Sequence, residues 1–303
     1  MTMNQKPRPA LFKPIIFGEV LFDCFPGGEQ RLGGAPFNLA WHLHALGNQP
    51  CLISRVGNDD LGKKITREMT TWGMDTTGLQ KDNKHATGQV SVKIIENEPS
   101  YNIVPDCAYD FIEYQRCSTL RESSLLYHGS LALRNSVSRS ALQKIIELQD
   151  TSIFLDVNLR TPWWHKEEVL GWLKRARWAK VNEDELVMLA GEYNDLENTM
   201  LEFQRENALQ LLFVTLGEKG AVVLSDKGER YQVVPKQRVD VIDTVGAGDA
   251  FTAVLLHGLI HDWSLSEMME CAQKFASKIV GIRGGTVNNR DFYQSIMTVK
   301  LPL

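Results

Sequence analysis

Cysteine is sparse and scattered. The chain has 5 cysteines in 303 residues (Cys24, Cys51, Cys107, Cys117 and Cys271), and no two form a C-x-x-C pair. That spacing supports neither a disulfide framework nor a zinc site, and isolated thiols suit a reducing compartment. Basic residues are short as well: 33 Lys+Arg against 37 Asp+Glu leave a formal net charge of −4. Nucleic-acid binding usually rests on a cationic excess, so no nucleic-acid partner is expected. No apolar run approaches the ~20 residues that a membrane-spanning helix needs, and Met1 to Pro14 lacks the apolar centre of a signal peptide. The cytoplasm is the expected setting, without a membrane partner. Two nucleotide-site patterns are also missing. There is no G-x-x-x-x-G-K-[ST] phosphate loop, and no G-x-G-x-x-G follows the first strand, which disfavours a dehydrogenase.

What remains is an ordinary globular composition, 43% hydrophobic and 23% charged. The run Pro14–Gly18 is short, apolar and β-rich, and a Gly-rich stretch follows it. Asn38–Leu46 then has helical patterning, closed by Gly47. Cys51–Val56 is a second strand and Leu61–Gly73 a second helix. This strand–helix rhythm predicts a mostly parallel sheet covered by helices. It breaks at Gly88–Ile95, which alternates with period two, turns at Asn97–Ser100 and resumes at Tyr101–Val104. A hairpin with one apolar face suits a small lid sheet better than a core. The rhythm returns with strands at Ser124–His128, Ser152–Val157, Trp178–Val181 and Leu211–Thr215, and helices at Ser138–Leu148 and Glu167–Ala176. A hairpin about Asp226–Gly228 and two closing helices complete it. The expectation is a single α/β domain over 1–303 carrying a β lid formed by about 20–35 and 85–115.

The most informative string is Asp243-Thr-Val-Gly-Ala-Gly-Asp-Ala-Phe251, running straight into the apolar pattern Ala253–Ile260. Gly246, Ala247 and Gly248 stand where a helix begins. Their small size lets backbone N–H groups approach an anion, and the helix dipole adds positive potential there. Asp249 follows in the first turn. A carboxylate beside an anion hole suits phosphoryl transfer to an alcohol: the hole holds charge on the moving group and the carboxylate takes the hydroxyl proton. The plainer reading makes Asp249 a helix-terminus residue only.

This string resembles the C-terminal signature of the ribokinase-like (PfkB) carbohydrate kinase family, in its fructokinase-like branch. Gly33-Gly-Ala-Pro-Phe-Asn38 is similar to the N-terminal signature of that family, about 200 residues earlier in the chain. The resemblance implies a three-layer αβα domain with a mostly parallel sheet and a small β-sheet lid. It implies ATP as phosphoryl donor, Mg²⁺ as cofactor and a small sugar as acceptor. Asp249 would be the catalytic base, 246–248 the anion hole, and Arg160 a further group neutralising phosphate charge. Asp23, Gly33, Gly34 and Asn38 would bind the sugar, with the lid aromatics Tyr101, Tyr109 and Phe111 shielding it.

Asn182-Glu-Asp-Glu185 is similar to the N-x-x-E motif of the family, which implies nucleotide contact at Asn182 and magnesium held through water at Glu185. The same four residues are a helix capping box. Thr215, Gly217 and Gly220 resemble its nucleotide-binding turn, and Ser277 falls near its adenine contact. Asp243 and Gly285 fall near its potassium loop, making K⁺ a candidate cofactor. Gly33-Gly-Ala-Pro-Phe-Asn38, Gly129-Ser-Leu-Ala-Leu133 and Ala108-Tyr-Asp-Phe-Ile112 look like fructokinases, so a free hexose such as fructose is the expected acceptor. Alternatives are a sugar phosphate (with Arg31 or Arg134 as the extra cation), a keto-sugar acid, a nucleoside, or a non-catalytic scaffold. A homodimer through the lid is a further expectation.

Overall fold

The computed structural model describes residues 13–95, 98–114, 125–148, 151–191, 195–236 and 240–297. The parts of the readings above that rest on Asn97, Cys117 and Ser124 lie outside them. The large sheet contains β1 (Ile15–Phe17), β4 (Cys51–Gly57), β5 (Leu79–Asp82), β8 (Leu125–His128), β9 (Ser152–Asp156), β10 (Trp178–Asn182), β11 (Leu211–Thr215), β12 (Ala221–Ser225) and β13 (Arg230–Val233). Its order is β13-β12-β11-β10-β9-β8-β1-β4-β5. Pairing is parallel from β5 through to β11, and β12 and β13 add an antiparallel edge.

Alternation along the strands makes the three layers. Ile16, Leu52, Tyr127, Phe154 and Phe213 belong to one buried cluster. Ile15, Phe17, Ile53, Leu126, Ile153, Leu155, Leu212 and Val214 belong to the other. A strand whose odd and even side chains are both buried must be covered on both faces, as a parallel sheet requires. The first face takes α1 (Ala35–Ala45), α2 (Asp60–Trp72), α7 (Ala247–Ile260), α8 (Leu265–Val280) and α9 (Arg290–Met297). The second takes α3 (Ser136–Leu148), α4 (Lys166–Leu173), α5 (Glu183–Ala190) and α6 (Leu196–Glu206). The elements β5, α6 and α9 were not anticipated from the sequence, so three helices close the chain rather than two. Helix α1 also begins earlier than expected, at Ala35, with Pro36 in its first turn where no N–H is needed.

The second, small sheet runs β3-β2-β6-β7, from β2 (Leu21–Cys24), β3 (Gln30–Gly33), β6 (Gly88–Ile95) and β7 (Glu98–Ile103). The stretch following β1 is thus a strand pair rather than only a glycine-rich connection. Its attachment to the main body depends on Arg134. That guanidinium donates from Nε and Nη2 to the two carboxylate oxygens of Asp110, each at 2.8 Å, and from Nη2 to the Val104 carbonyl at 2.7 Å. It also stacks over the Tyr109 and Trp163 rings. Arg134 thus uses Nε and Nη2 to join the chain after β7 to the body, while its Nη1 has no partner among the described residues; a buried guanidinium already paired with a carboxylate is not the extra cation considered for a sugar phosphate. Both members of the pair are buried. Arg134→Met is expected to destabilise the fold by about 3–5 kcal/mol in urea titration, and Arg134→Met/Asp110→Asn by clearly less.

Candidate active site

Most of the candidate residues gather at the carboxyl ends of the parallel strands, where open α/β sheets place their clefts. Two cavities meet there. The larger, a cleft beside α7, encloses about 1070 Å³ and is lined by Asn182, Thr215, Gly217, Gly220, Gly248 and Ser277. A smaller cavity of about 290 Å³ is lined by Asp23, Gly33, Gly34, Asn38, Tyr101 and Asp243. Asp249 stands between them. Its neighbour Gly248 lines the large cleft, and Asn38 of the small cavity donates Nδ2–H to Asp249 Oδ2 at 2.8 Å.

The local geometry follows from small residues. Gly246 caps α7 with φ +81°, in the left-handed region, and a Cβ there would lie 2.4 Å from the Cα of Gly285. Gly34 caps α1 with φ +106°, where a Cβ would lie 2.7 Å from the Glu19 carbonyl oxygen. The freedom of Gly34 thus serves the turn into α1, while Gly33 keeps space beside the Asp23 carboxylate, 3.7 Å from its Cβ position. Asn182 and Glu185 do form a capping box: Glu185 Oε2 accepts from Asn182 N at 2.9 Å and Asn182 Oδ1 accepts from Glu185 N at 2.8 Å. The other Glu185 oxygen accepts Leu159 N–H at 2.8 Å.

The charges are tightly balanced. Burial pushes the Asp249 carboxyl up to about 6; the Asn38 hydrogen bond, Lys180 and Arg160 oppose that rise, and Asp156 adds to it. Burial likewise pushes Asp23 up to about 6, against the pull of Arg31 and Arg160. Arg160 is exposed and lines neither cavity, yet its charge reaches Asp23, Asp249 and Glu19 alike. Asp243 accepts N–H from Val245 and Gly284 and lies 3.4 Å from the Arg31 guanidinium. Phe111 is placed elsewhere: it stacks on His85 at 3.6 Å, beside a separate shallow pocket. Tyr109 is buried against Arg134 and does not line the small cavity. Tyr101 does.

Sequence reasoning missed three groups. Glu19 is buried beside the α1 start, and burial pushes its carboxyl up to about 7. Lys180 is buried within β10, 2.9 Å from Asp156. Thr252 donates to Asp156 at 2.9 Å from inside α7. A lysine inside an otherwise apolar parallel strand was the available signal, because buried lysines are rare unless paired.

The description "pfkB family carbohydrate kinase" matches residues 25–291. The chain belongs to the pfkB family of carbohydrate kinases. It is 31% identical to a fructokinase of Escherichia coli over 80% of this chain and 83% of that protein. A sugar kinase of Pyrococcus horikoshii, solved in complex with ATP, superposes with a TM-score of 0.77 at 29% identity, covering 91% of this chain and 94% of that one. A double mutant of the fructokinase of Vibrio cholerae, solved with fructose, ADP and potassium ion, superposes with a TM-score of 0.79 at 26% identity over 91% and 94% of the two chains. As a pfkB-family enzyme, the chain is an ATP-dependent sugar phosphotransferase acting on a small-molecule sugar.

If the Asp249 carboxylate takes the acceptor proton, its ionised form is the active one. The kcat/KM of the enzyme is therefore expected to rise with pH through about 6. Asn38→Ala removes a hydrogen bond that favours the charged form. The acid limb of the profile should then move to higher pH, measured by initial rates between pH 5 and 8 (an assay range of roughly physiological reach).

Proposed function

We propose that this sugar kinase phosphorylates a hydroxyl of a free hexose, with fructose or a related ketohexose as acceptor. The observation that carries the reading is the position of Asp249, between a cleft lined by nucleotide-type turns and a cavity lined by hydroxyl-binding groups. The fructokinases among its relatives supply the sugar. The acceptor lies under the small sheet, where Asp23 accepts hydrogen bonds from neighbouring hydroxyls and Asn38 and the 33–34 backbone fix its face. Tyr101 covers it, so that water does not compete as acceptor. The hydroxyl proton passes to Asp249 as the γ-phosphoryl leaves ADP and bonds to the sugar oxygen. The N–H groups at 246–248 hold the charge on the moving group, and Arg160 adds to the positive field.

Asn182, Thr215, Gly217, Gly220 and Ser277 hold the nucleotide in this scheme. Magnesium supplies charge neutralisation on the phosphates. Among the described residues no group of three or more His, Cys, Asp and Glu side chains could hold a metal ion. Both Glu185 oxygens already accept backbone N–H. That set fits an ion kept on phosphate and water, with Glu185 touching it through water. Asp243 is the side chain near which a potassium ion would sit, but two N–H groups and Arg31 already satisfy its carboxylate. We assign that ion no step. Cytoplasmic residence and pairing of two copies through the open edges β3 and β7 complete the reading. Among the described residues no helix is long and apolar enough to cross a membrane.

A second acceptor class has one observation in its favour. Arg283 lines the small cavity, is exposed, and has no ion-pair or hydrogen-bond partner among the described residues. A carboxylate or phosphate on the far end of the sugar would pair with it and with Arg31. The test is ADP release from Mg-ATP across free sugars, sugar phosphates, sugar acids and nucleosides. Turnover is expected with fructose, falling roughly 1000-fold in Asp249→Asn. Turnover only with an anionic sugar, lost in Arg283→Ala, would transfer the assignment to that class. No turnover with any acceptor, despite ATP binding, would end the kinase assignment for this chain.

A further inference from the structure

One full charge near the first turn of α7 has no part in the scheme above. Lys180 lies in β10 between Ala179 and Val181, both fully buried, and is itself only 7% exposed. Its Nζ is 2.9 Å from Asp156 Oδ1 and 3.6 Å from the Cβ position of Gly248. Gly248 lines the nucleotide cleft, and with no side chain there the ammonium faces the start of α7 directly. Asp156 is the only hydrogen-bonding partner of this ammonium among the described residues. An ammonium carries three donors, so two are left to point elsewhere.

Burial works against charge on Lys180, but Asp156 and Glu185 outweigh it and hold the group above the ordinary lysine value. The ammonium therefore stays protonated throughout turnover. A helix N-terminus offers roughly half a positive charge, and Lys180 adds a whole one where water screens little. Position is tied to the same pair: Asp156 Oδ2 accepts from Thr252 Oγ1 at 2.9 Å, and Thr252 also bonds the Gly248 carbonyl at 2.9 Å.

We propose that Lys180 is a second anion-stabilising group for phosphoryl transfer, its ammonium acting across Gly248 on the charge of the moving phosphoryl group as well as holding Asp156. The inference rests on the kinase reading given above. Lys180 neither gives nor takes a proton: the acceptor proton still goes to Asp249 and the bond to ADP still breaks as the sugar–oxygen bond forms. The rival role is purely structural, with Lys180 present only to neutralise Asp156.

Lys180→Met alone leaves Asp156 buried without its partner and is at risk of not folding. The informative variant is Lys180→Met/Asp156→Asn, which removes both charges and keeps the volumes. It is compared with Asp156→Asn and wild type, with thermal denaturation confirming that each is folded. The double variant is expected to lose roughly 100-fold in kcat, with the KM for ATP changed by less than about threefold. Calorimetry should show ADP binding kept, but binding of ADP with aluminium fluoride and acceptor weakened by a comparable roughly 100-fold factor. Lys180 and Asp156 act on Asp249 in opposite directions, so the acid limb of the pH profile should stay near its wild-type position. A double variant that keeps kcat within about threefold of wild type, or an Asp156→Asn variant that alone reproduces the whole loss, overturns the proposal. A wild-type protein inactive on every acceptor overturns the kinase reading and this inference with it.

Discussion

The 2.8 Å hydrogen bond from Asn38 to Asp249 joins two helices whose residues lie 211 positions apart, and the site is organised around it. It works because α1, α7 and the loop at Gly285 meet with almost no side chain between them. A Cβ on Gly285 would lie 2.5 Å from Asn38 Nδ2, and one on Gly246 would lie 2.4 Å from Gly285 Cα. One turn along α1, His42 bonds the Gly285 carbonyl at 2.9 Å and Tyr293 at 3.0 Å. Burial pushes that histidine down to about 3, so it stays neutral and acts as a fixed strut. A hydrogen bond to a charged group contributes about 1.5–3 kcal/mol, enough to fix the carboxylate without neutralising it.

Around that contact the protein keeps several carboxylates in poor solvent. Asp23, Asp249 and Glu19 are all pushed up by burial, and Arg31, Arg160 and Lys180 partly offset the effect. Carboxylates with raised proton affinity, packed near cations that do not fully pair with them, favour a site that accepts protons over one built for stability. Arg134 and Asp110 show the other solution: a pair with both oxygens met, which serves attachment only.

Much of this was legible in the sequence. The strand–helix rhythm gave the layers, because buried parallel strands are short apolar runs and their covering helices are amphipathic. The string 243–251 marked the start of α7 and the carboxylate in its first turn, because glycine and alanine at a helix start have a geometric meaning. The capping-box reading of Asn182 holds, since Asn182 bonds Glu185, and the same residue lines the large cleft. What was hidden depended on tertiary contacts. Nothing near Phe111 indicates that His85 will stack on it, and nothing near Arg134 indicates a partner 24 residues earlier. Strand β5 was hidden because Leu79-Gln-Lys-Asp82 is mostly polar, although Gln80 and Asp82 are buried. Glu19 carried no signal in the sequence, and only folding buries it beside the start of α1.

The two cavities draw on different stretches of the chain. Half of the residues lining the small one come from the stretch 23–38, while the large cleft is built wholly from residues beyond 181. Only the stretch 242–245 and the loop at 283–285 lend the small cavity walls from the later part. Such a division makes selectivity portable. An early segment can be exchanged or drift in composition, and the walls of the larger cleft are left untouched. One scaffold can thereby diversify what it accepts without relearning how to transfer.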